Sequence, residues 1–267
     1  MTNMRVLFWN THKNEKINII LKELILENHI SIVALAEYTA DIDDLISAVH
    51  LQGKHLKKYT TIGCDRLKIL GTIENVQPGD QSTHASIQII NEKDILCCVH
   101  LQSKGYPDHE ERRNITINQI TNEICALETK LGTENSIIVG DFNVNPFDSA
   151  CIGARNFHSL PIYETTANKS RRVSGQDFRM FYNPMWNLLG DFNQPYGTFY
   201  YNGSTSDNIF WNIYDQVIIR PSLRKRFIDS SLKIVTETQT KYLLDTKGHP
   251  QKTISDHLPI IFEISEE

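Results

Sequence analysis

Residues 136–146 read Ser136-Ile137-Ile138-Val139-Gly140-Asp141-Phe142-Asn143-Val144-Asn145-Pro146. The first four form a short apolar run of the kind that makes a buried strand. The run then gives way to a glycine, a carboxylate, an aromatic ring and an amide. Gly, Asp, Asn and Pro all end strands, so a plain chain reversal would account for the composition. The other explanation is that Asp141 and Asn143 are held at the tip of a rigid element. If strand geometry continues to residue 143, the two polar side chains share one face and Phe142 turns into the packing behind. Gly140 would then let the backbone approach a bound molecule closely.

The rest of the chain favours the second explanation, because other apolar runs end in the same way. Asn10 follows Arg5-Val6-Leu7-Phe8-Trp9, Glu37 follows residues 31–36, and His100 follows residues 95–99. Asp215 and Gln216 precede residues 217–220, while Asp256 and His257 precede residues 258–262. Singly, each has an ordinary role as a turn residue, a helix cap or a satisfied core histidine. Together they place hard-metal ligands and general bases at six strand ends, which is how rigid sheets assemble a site.

Between these ends the spacing predicts helices over 14–28, 41–49 and 109–131, with Ile117, Ile120, Ile124 and Leu127 on one side of the longest. A meander of strands is expected over 56–62, 67–73, 84–90 and 94–101, with Pro78-Gly79-Asp80 as a turn, and further strands at 197–201, 213–219 and 258–264. Residues 145–195 are irregular, but their aromatics argue against disorder. Alternating strands and helices interrupted by hairpins indicate two sheets packed face to face with helices on the outer faces. With no internal repeat and no linker, residues 1–267 read as a single domain.

The 267 residues carry a net charge of −5, unlike the basic balance of a nonspecific nucleic-acid coat protein. A phosphate-bearing substrate would therefore be held by a local patch or a metal. No secretory leader or membrane-spanning apolar run is evident, and the five cysteines form no CxxC or zinc-type spacing. Reduced thiols and a cytoplasmic location are expected.

The ordered series Trp9-Asn10, Ala36-Glu37, His100-Leu101, Gly140-Asp141-Phe142-Asn143, Tyr214-Asp215-Gln216-Val217-Ile218 and Ser255-Asp256-His257-Leu258-Pro259 resembles the endonuclease/exonuclease/phosphatase superfamily. That superfamily includes deoxyribonuclease I, abasic-site endonucleases, inositol polyphosphate phosphatases and sphingomyelinases. The resemblance runs from residue 5 to about residue 264. It implies a four-layer α/β/β/α sandwich with two mixed, mainly antiparallel sheets, and a Mg²⁺-dependent phosphoric ester hydrolase in which Mn²⁺ can substitute. It further implies Glu37 as the main metal ligand with Asn10 and Asp256 near the metal. Asp141 and Asn143 would lie by the scissile phosphate, Asp141 orienting or deprotonating the attacking water. His257 would contact the phosphate or act as base, oriented by Asp215, and His100 would touch a nonbridging oxygen.

The chemistry of those residue types agrees. A phosphodiester repels hydroxide, so its hydrolysis needs positive charge on the phosphate and a positioned nucleophile. Mg²⁺ takes oxygen ligands and keeps several waters, so one or two carboxylates with an amide suffice. An Asp–His pair fixes an imidazole tautomer and stabilises its charged form. Asp215 is the expected partner of His257, since the neighbouring Asp256 would point the other way in an extended segment.

The substrate is less determined. His100 replaces the tyrosine typical of the abasic-site branch, and Ala36 replaces the family's commoner glutamine. Basic residues Lys169, Arg171, Arg172 and Arg179 alternate with Phe178, Phe181, Tyr182 and Trp186, a pattern suited to a nucleic-acid strand, although the aromatics also suit a core. Lys104 and the Arg112-Arg113 pair extend the candidate patch. A nonspecific or structure-directed deoxyribonuclease is the leading expectation, with DNA as partner and no membrane contact. The alternatives are a small-molecule or lipid phosphatase or phosphodiesterase, and a nucleic-acid-binding pseudoenzyme. A nuclease loose in a cell endangers the genome, so a regulatory protein partner is also expected.

Overall fold

The computed structural model describes residues 3–105, 108–206 and 208–266. From the N-terminus, β1 (Met4–Asn10), α1 (Asn18–Glu27), β2 (Ile32–Ala36), α2 (Ile42–His50), β3 (Lys57–Lys58) and β4 (Leu67–Gly71) follow in order. A meander of β5 (Val76–Ser82), β6 (Ala85–Ile90) and β7 (Asp94–His100) leads through α3 (His109–Leu131) to β8 (Ser136–Asp141). Next come β9 (Ser159–Leu160), the hairpin β10 (Ser170–Val173) and β11 (Gln176–Arg179), and β12 (Phe181–Tyr182). The remainder comprises β13 (Phe199–Tyr200), β14 (Trp211–Asn212), β15 (Asp215–Ile219), β16 (Lys233–Ile234) and β17 (Ile260–Ile264).

Two large sheets result, one ordered β16-β17-β1-β2-β4-β3 and the other β5-β6-β7-β8-β15-β12-β9, with β10–β11 and β13–β14 as separate two-stranded pairs. The pairs β1–β2, β7–β8 and β9–β12 are parallel and the rest of both sheets is antiparallel. Parallel neighbours need a long crossover. α1 supplies it between β1 and β2, and α3 between β7 and β8.

Strand alternation builds the layers. Val6 and Phe8 of β1, Ile32 and Ala34 of β2, Leu96 and Cys98 of β7, Ile137 and Val139 of β8, and Val217 and Ile219 of β15 meet between the sheets. The intervening residues face outward. Leu7, Trp9, Val33 and Leu35 lie under Leu21 and Leu24 of α1 and Leu45 and Val49 of α2. Cys97, Val99, Ile138 and Ile218 lie under Ile117, Ile120 and Ile124 of α3. Each fully buried side chain of this size is worth roughly 1.5–3 kcal/mol. The chain is thus the four-layer α/β/β/α sandwich expected.

Some elements differ from their sequence signals. Residues 56–62 yield only the two-residue β3, and Pro78-Gly79-Asp80 lies inside β5 rather than in a turn. β5 is an edge strand with a register shift between Pro78 and Gln81, a place where a missing N–H costs little. Gly140 serves the sheet rather than a ligand, since a Cβ there would stand 2.0 Å from the Val99 carbonyl oxygen. All five cysteines are free. No helix among the described residues is long and apolar enough to cross a membrane.

Candidate active site

Register brings the polar strand ends together. His100 stands opposite Asp141 across β7–β8, Asp141 opposite Asp215 across β8–β15, and Asn10 opposite Ala36 across β1–β2. Asp141 is the centre. It is 1 % exposed, its Oδ2 accepts from Asn10 Nδ2 at 3.0 Å, and its Oδ1 accepts from the Asn143 backbone N–H at 2.9 Å. The Nε2 atoms of His100 and His257 approach Asp141 Oδ2 at 3.8 and 3.9 Å.

His257 Nδ1 lies 2.8 Å from Oδ2 of the fully buried Asp215. Burial works against the imidazolium, but the charges of Asp215 and Asp141 outweigh it, and His257 is pushed up to about 10. Burial likewise raises Asp215, to about 6, with the imidazolium opposing. At neutral pH the two form a buried ion pair, with a cationic ring turned toward Asp141. His100 behaves differently. Burial lowers its pKa below the ordinary value despite Asp141 and Glu37 nearby, so it stays neutral. Its carbonyl oxygen is fixed by the His84 ring at 2.8 Å.

Glu37 follows β2 with φ of 50°, a left-handed conformation that costs a non-glycine residue energy. Its carbonyl oxygen accepts from Thr11 Oγ1 at 3.0 Å and from the Lys13 N–H at 2.9 Å. The clamp aims its carboxylate so that Oε1 lies 3.7 Å from His100 Nε2. Ala36 before it offers no polar side chain, so Glu37 is held through its own backbone.

Asn143 corrects the simplest geometric expectation. β8 ends at Asp141, and Asn143 adopts φ of 53° rather than continuing the strand. Its N–H returns to Asp141 and its amide donates to the Leu101 carbonyl at 2.9 Å, so a turn, not strand period, brings it to the site. Phe142 is buried beneath, 4.9 Å from the Phe157 ring. Asp256 also lines the site beside His257 rather than pointing away. Its Oδ1 is buried without a hydrogen-bond partner among the described residues, and His12 Nδ1 lies 3.1 Å away.

Asp141, Asp215 and His257 bring candidate ligand atoms within 4.8 Å of one another. A protonated His257 whose Nδ1 is committed to Asp215 repels a cation, so this trio suits proton handling better. The oxygens of Glu37, Asn10 and Asp256, with Asp141 at the centre, are hard donors, and the unsatisfied Asp256 oxygen calls for an electropositive partner. In donor chemistry this set suits a divalent cation, and binding would have to draw Glu37 and Asp256 together, since among the described His, Cys, Asp and Glu residues only the Asp141, Asp215 and His257 trio already converges.

Apart from Asp215, these residues line one cleft of about 690 Å³. It also holds residues that the strand-end pattern does not reveal: His12 and Lys13 after β1, Arg66 and His84 from turns, Arg112 of α3, and Phe199 with Tyr214. The Phe199 ring stacks on Tyr214 at 5.2 Å and lies 4.8 Å from His257. Arg112 faces the cleft, whereas Arg113 is buried and donates to the Gln102 carbonyl.

Lys104, Arg171, Arg172 and Arg179 do not line it. Lys104 follows the cleft residue Ser103 in an exposed turn. Arg171 and Arg172 lie exposed on β10, and Arg179 pairs with Glu128 and Glu134. Glu128 also holds Arg220 at 2.7 Å and Ser136 at 2.6 Å, at the opposite ends of β15 and β8 from Asp215 and Asp141. Phe181 and Tyr182 fill the core.

No family model and no curated protein matches the chain at the sequence level. Solved structures do match. An AP endonuclease from Archaeoglobus fulgidus superposes with a TM-score of 0.57 at 12% identity, covering 98% of this chain and 100% of that one. The 3' phosphatase NExo from Neisseria, bound to product DNA hairpin, gives 0.57 at 14% identity over 98% and 100% of the two chains. An endonuclease/exonuclease/phosphatase family protein from Bacteroides thetaiotaomicron gives 0.56 at 12% identity over 98% of each. This chain therefore has the deoxyribonuclease I-like fold of the endonuclease/exonuclease/phosphatase proteins.

Proposed function

We propose that the chain is a divalent-cation-dependent phosphodiester hydrolase, acting on DNA as a nonspecific or structure-directed nuclease. The observation that carries this is the position of the buried Asp141 carboxylate. It lies between the Asn10 amide, the neutral His100 and a His257 charged by Asp215. Asp141 is placed to accept a proton from an attacking water and to orient it. Asn10 and the Asn143 N–H hold the carboxylate still, which is the preorganisation such a step needs. His257 presents a cation to a nonbridging phosphate oxygen from a ring that is itself buried, where charge acts strongly. Asp215 stabilises that cation and fixes its ring. His100 donates a hydrogen bond to the phosphate without adding charge.

A cation held by Glu37, with Asn10 and Asp256, would supply further positive charge at the phosphate. Lys13, Arg66 and Arg112 give the cleft a basic rim for flanking phosphates, and the Phe199–Tyr214 stack offers a face to a base or sugar. DNA is favoured because the cleft combines that rim with an aromatic face, and NExo, which shares the fold, carries a DNA hairpin.

The test offers the protein supercoiled plasmid, a single-stranded oligonucleotide, p-nitrophenyl phosphate and phosphoinositides, each with Mg²⁺ or Mn²⁺ and with EDTA. Cation-dependent cleavage of the DNA substrates is expected. Turnover of the monoesters or lipids alone would refute the nuclease assignment, and the absence of any turnover would leave a binding scaffold.

A further inference from the structure

Just after β1 the chain turns through two successive left-handed residues, His12 with φ of 48° and Lys13 with φ of 55°. Neither is glycine, so the turn is strained and needs bonds to hold it. The His12 N–H donates to Asn10 Oδ1 at 3.1 Å, and the Lys13 N–H donates to the Glu37 carbonyl at 2.9 Å. Glu37 is itself left-handed, so two strained turns are tied back to back. Their joint effect is to place the His12 imidazole on the cleft wall beside Asp256.

The contact made there is unusual. His12 Nδ1 and Asp256 Oδ1 are 3.1 Å apart, yet Asp256 Oδ1 has no hydrogen-bond partner among the described residues. The two atoms converge without the alignment of a donor and an acceptor. Two ligands at right angles on one ion, each bonded at about 2.1 Å, stand about 3 Å apart. The separation alone would allow a hydrogen bond, but the misaligned geometry and the spacing both suit two ligands of one ion. The His12 side chain is 53% exposed, so it is open to an ion arriving through the cleft.

We propose that His12 is a nitrogen ligand of the cleft's divalent cation, next to Asp256, and that the site therefore prefers a first-row transition ion such as Mn²⁺ to Mg²⁺. The proposal rests on the cleft holding a divalent cation at all. A carboxylate and amide set alone is hard and suits Mg²⁺, whereas imidazole strengthens binding of first-row ions and gives Mg²⁺ little.

Binding of Mn²⁺ and of Mg²⁺ to the metal-free protein is measured by calorimetry for the wild type and for His12→Asn. Asparagine tolerates the left-handed backbone and offers oxygen in place of nitrogen. The wild type is expected to bind Mn²⁺ at least about tenfold more tightly than Mg²⁺, and the variant to lose on the order of tenfold in Mn²⁺ affinity. Mg²⁺ affinity should change by less than about threefold. The ¹⁴N modulation in the pulsed EPR spectrum of bound Mn²⁺ should weaken in the variant, and melting in EDTA should be unchanged. Equal losses for both ions would overturn the proposal and leave His12 only holding Asp256. Unchanged Mn²⁺ affinity and ¹⁴N modulation would also overturn it. Failure of the wild type to bind either ion would overturn it together with the cation site itself.

Discussion

Asp215→Asn preserves the shape of a fully buried side chain and removes its charge. In the native protein Asp215 Oδ2 lies 2.8 Å from His257 Nδ1, and His257 titrates near 10 instead of 6.5. That difference corresponds to roughly 5 kcal/mol of extra stabilisation of the imidazolium, at about 1.4 kcal/mol per pH unit, shared between Asp215 and Asp141. Asp215→Asn removes part or all of that stabilisation and also leaves the ring without the carboxylate that fixes its tautomer and orientation, a loss that in an Asp–His pair costs about 10² to 10⁴ in kcat. Asp215 does not line the cleft, so KM should move little. The assay is steady-state cleavage of a DNA substrate with Mn²⁺, accompanied by thermal unfolding to show that the variant folds and by ¹⁵N NMR of the His257 ring. A folded Asp215→Asn protein with kcat within about threefold of wild type would refute the proposed dependence of His257 on its buried partner.

The buried pair of Asp94 with Arg226, bidentate at 2.7 and 2.8 Å, ties the start of β7 to the segment that holds the Ser265 carbonyl. Asp94→Ala should cost about 3–5 kcal/mol in denaturant unfolding, since it strands a buried guanidinium. In EDTA, the raised pKa of His257 adds stability that is complete below about 6.5 and lost as pH climbs through about 10. The melting temperature should therefore fall over that window, and less steeply in His257→Gln. Arg66→Ala and Arg112→Ala should each raise KM for DNA about five- to tenfold, roughly 1–1.4 kcal/mol per phosphate contact. Arg171→Ala with Arg172→Ala should leave cleavage within about twofold; an equal effect from both pairs of arginines would contradict the placement of the cleft.

The residues that strands deliver were legible in the sequence. Asp141, His100, Asp215 and Asn10 end or begin apolar runs, and alternation with burial on both faces fixes where such runs stop. The ordering of those strand ends also carried the family resemblance, and hence the four layers. What turns deliver was not legible. His12, Arg66 and His84 reach the cleft through local backbone geometry and pairing register, neither of which leaves a periodic trace. Asn143 reaches the cleft through a left-handed turn instead of strand period. Arg171, Arg172 and Arg179 show the complementary failure. Alternating cations and aromatics mark a segment chemically able to bind a strand, but not the end of the sheet at which it sits. Arg179 is taken by Glu128, a partner 51 residues away in sequence. β5 hid its Pro-Gly-Asp because only an edge strand tolerates it.

The role of Asp141 is tested by single-turnover cleavage of an end-labelled DNA duplex by Asp141→Asn with saturating Mn²⁺, alongside binding of the same duplex. Asparagine keeps the volume but cannot take the water's proton, so cleavage should fall by about 10³ or more with DNA affinity within about threefold. Cleavage by a folded Asp141→Asn protein at near the wild-type rate would contradict the assignment of the chemistry to this carboxylate.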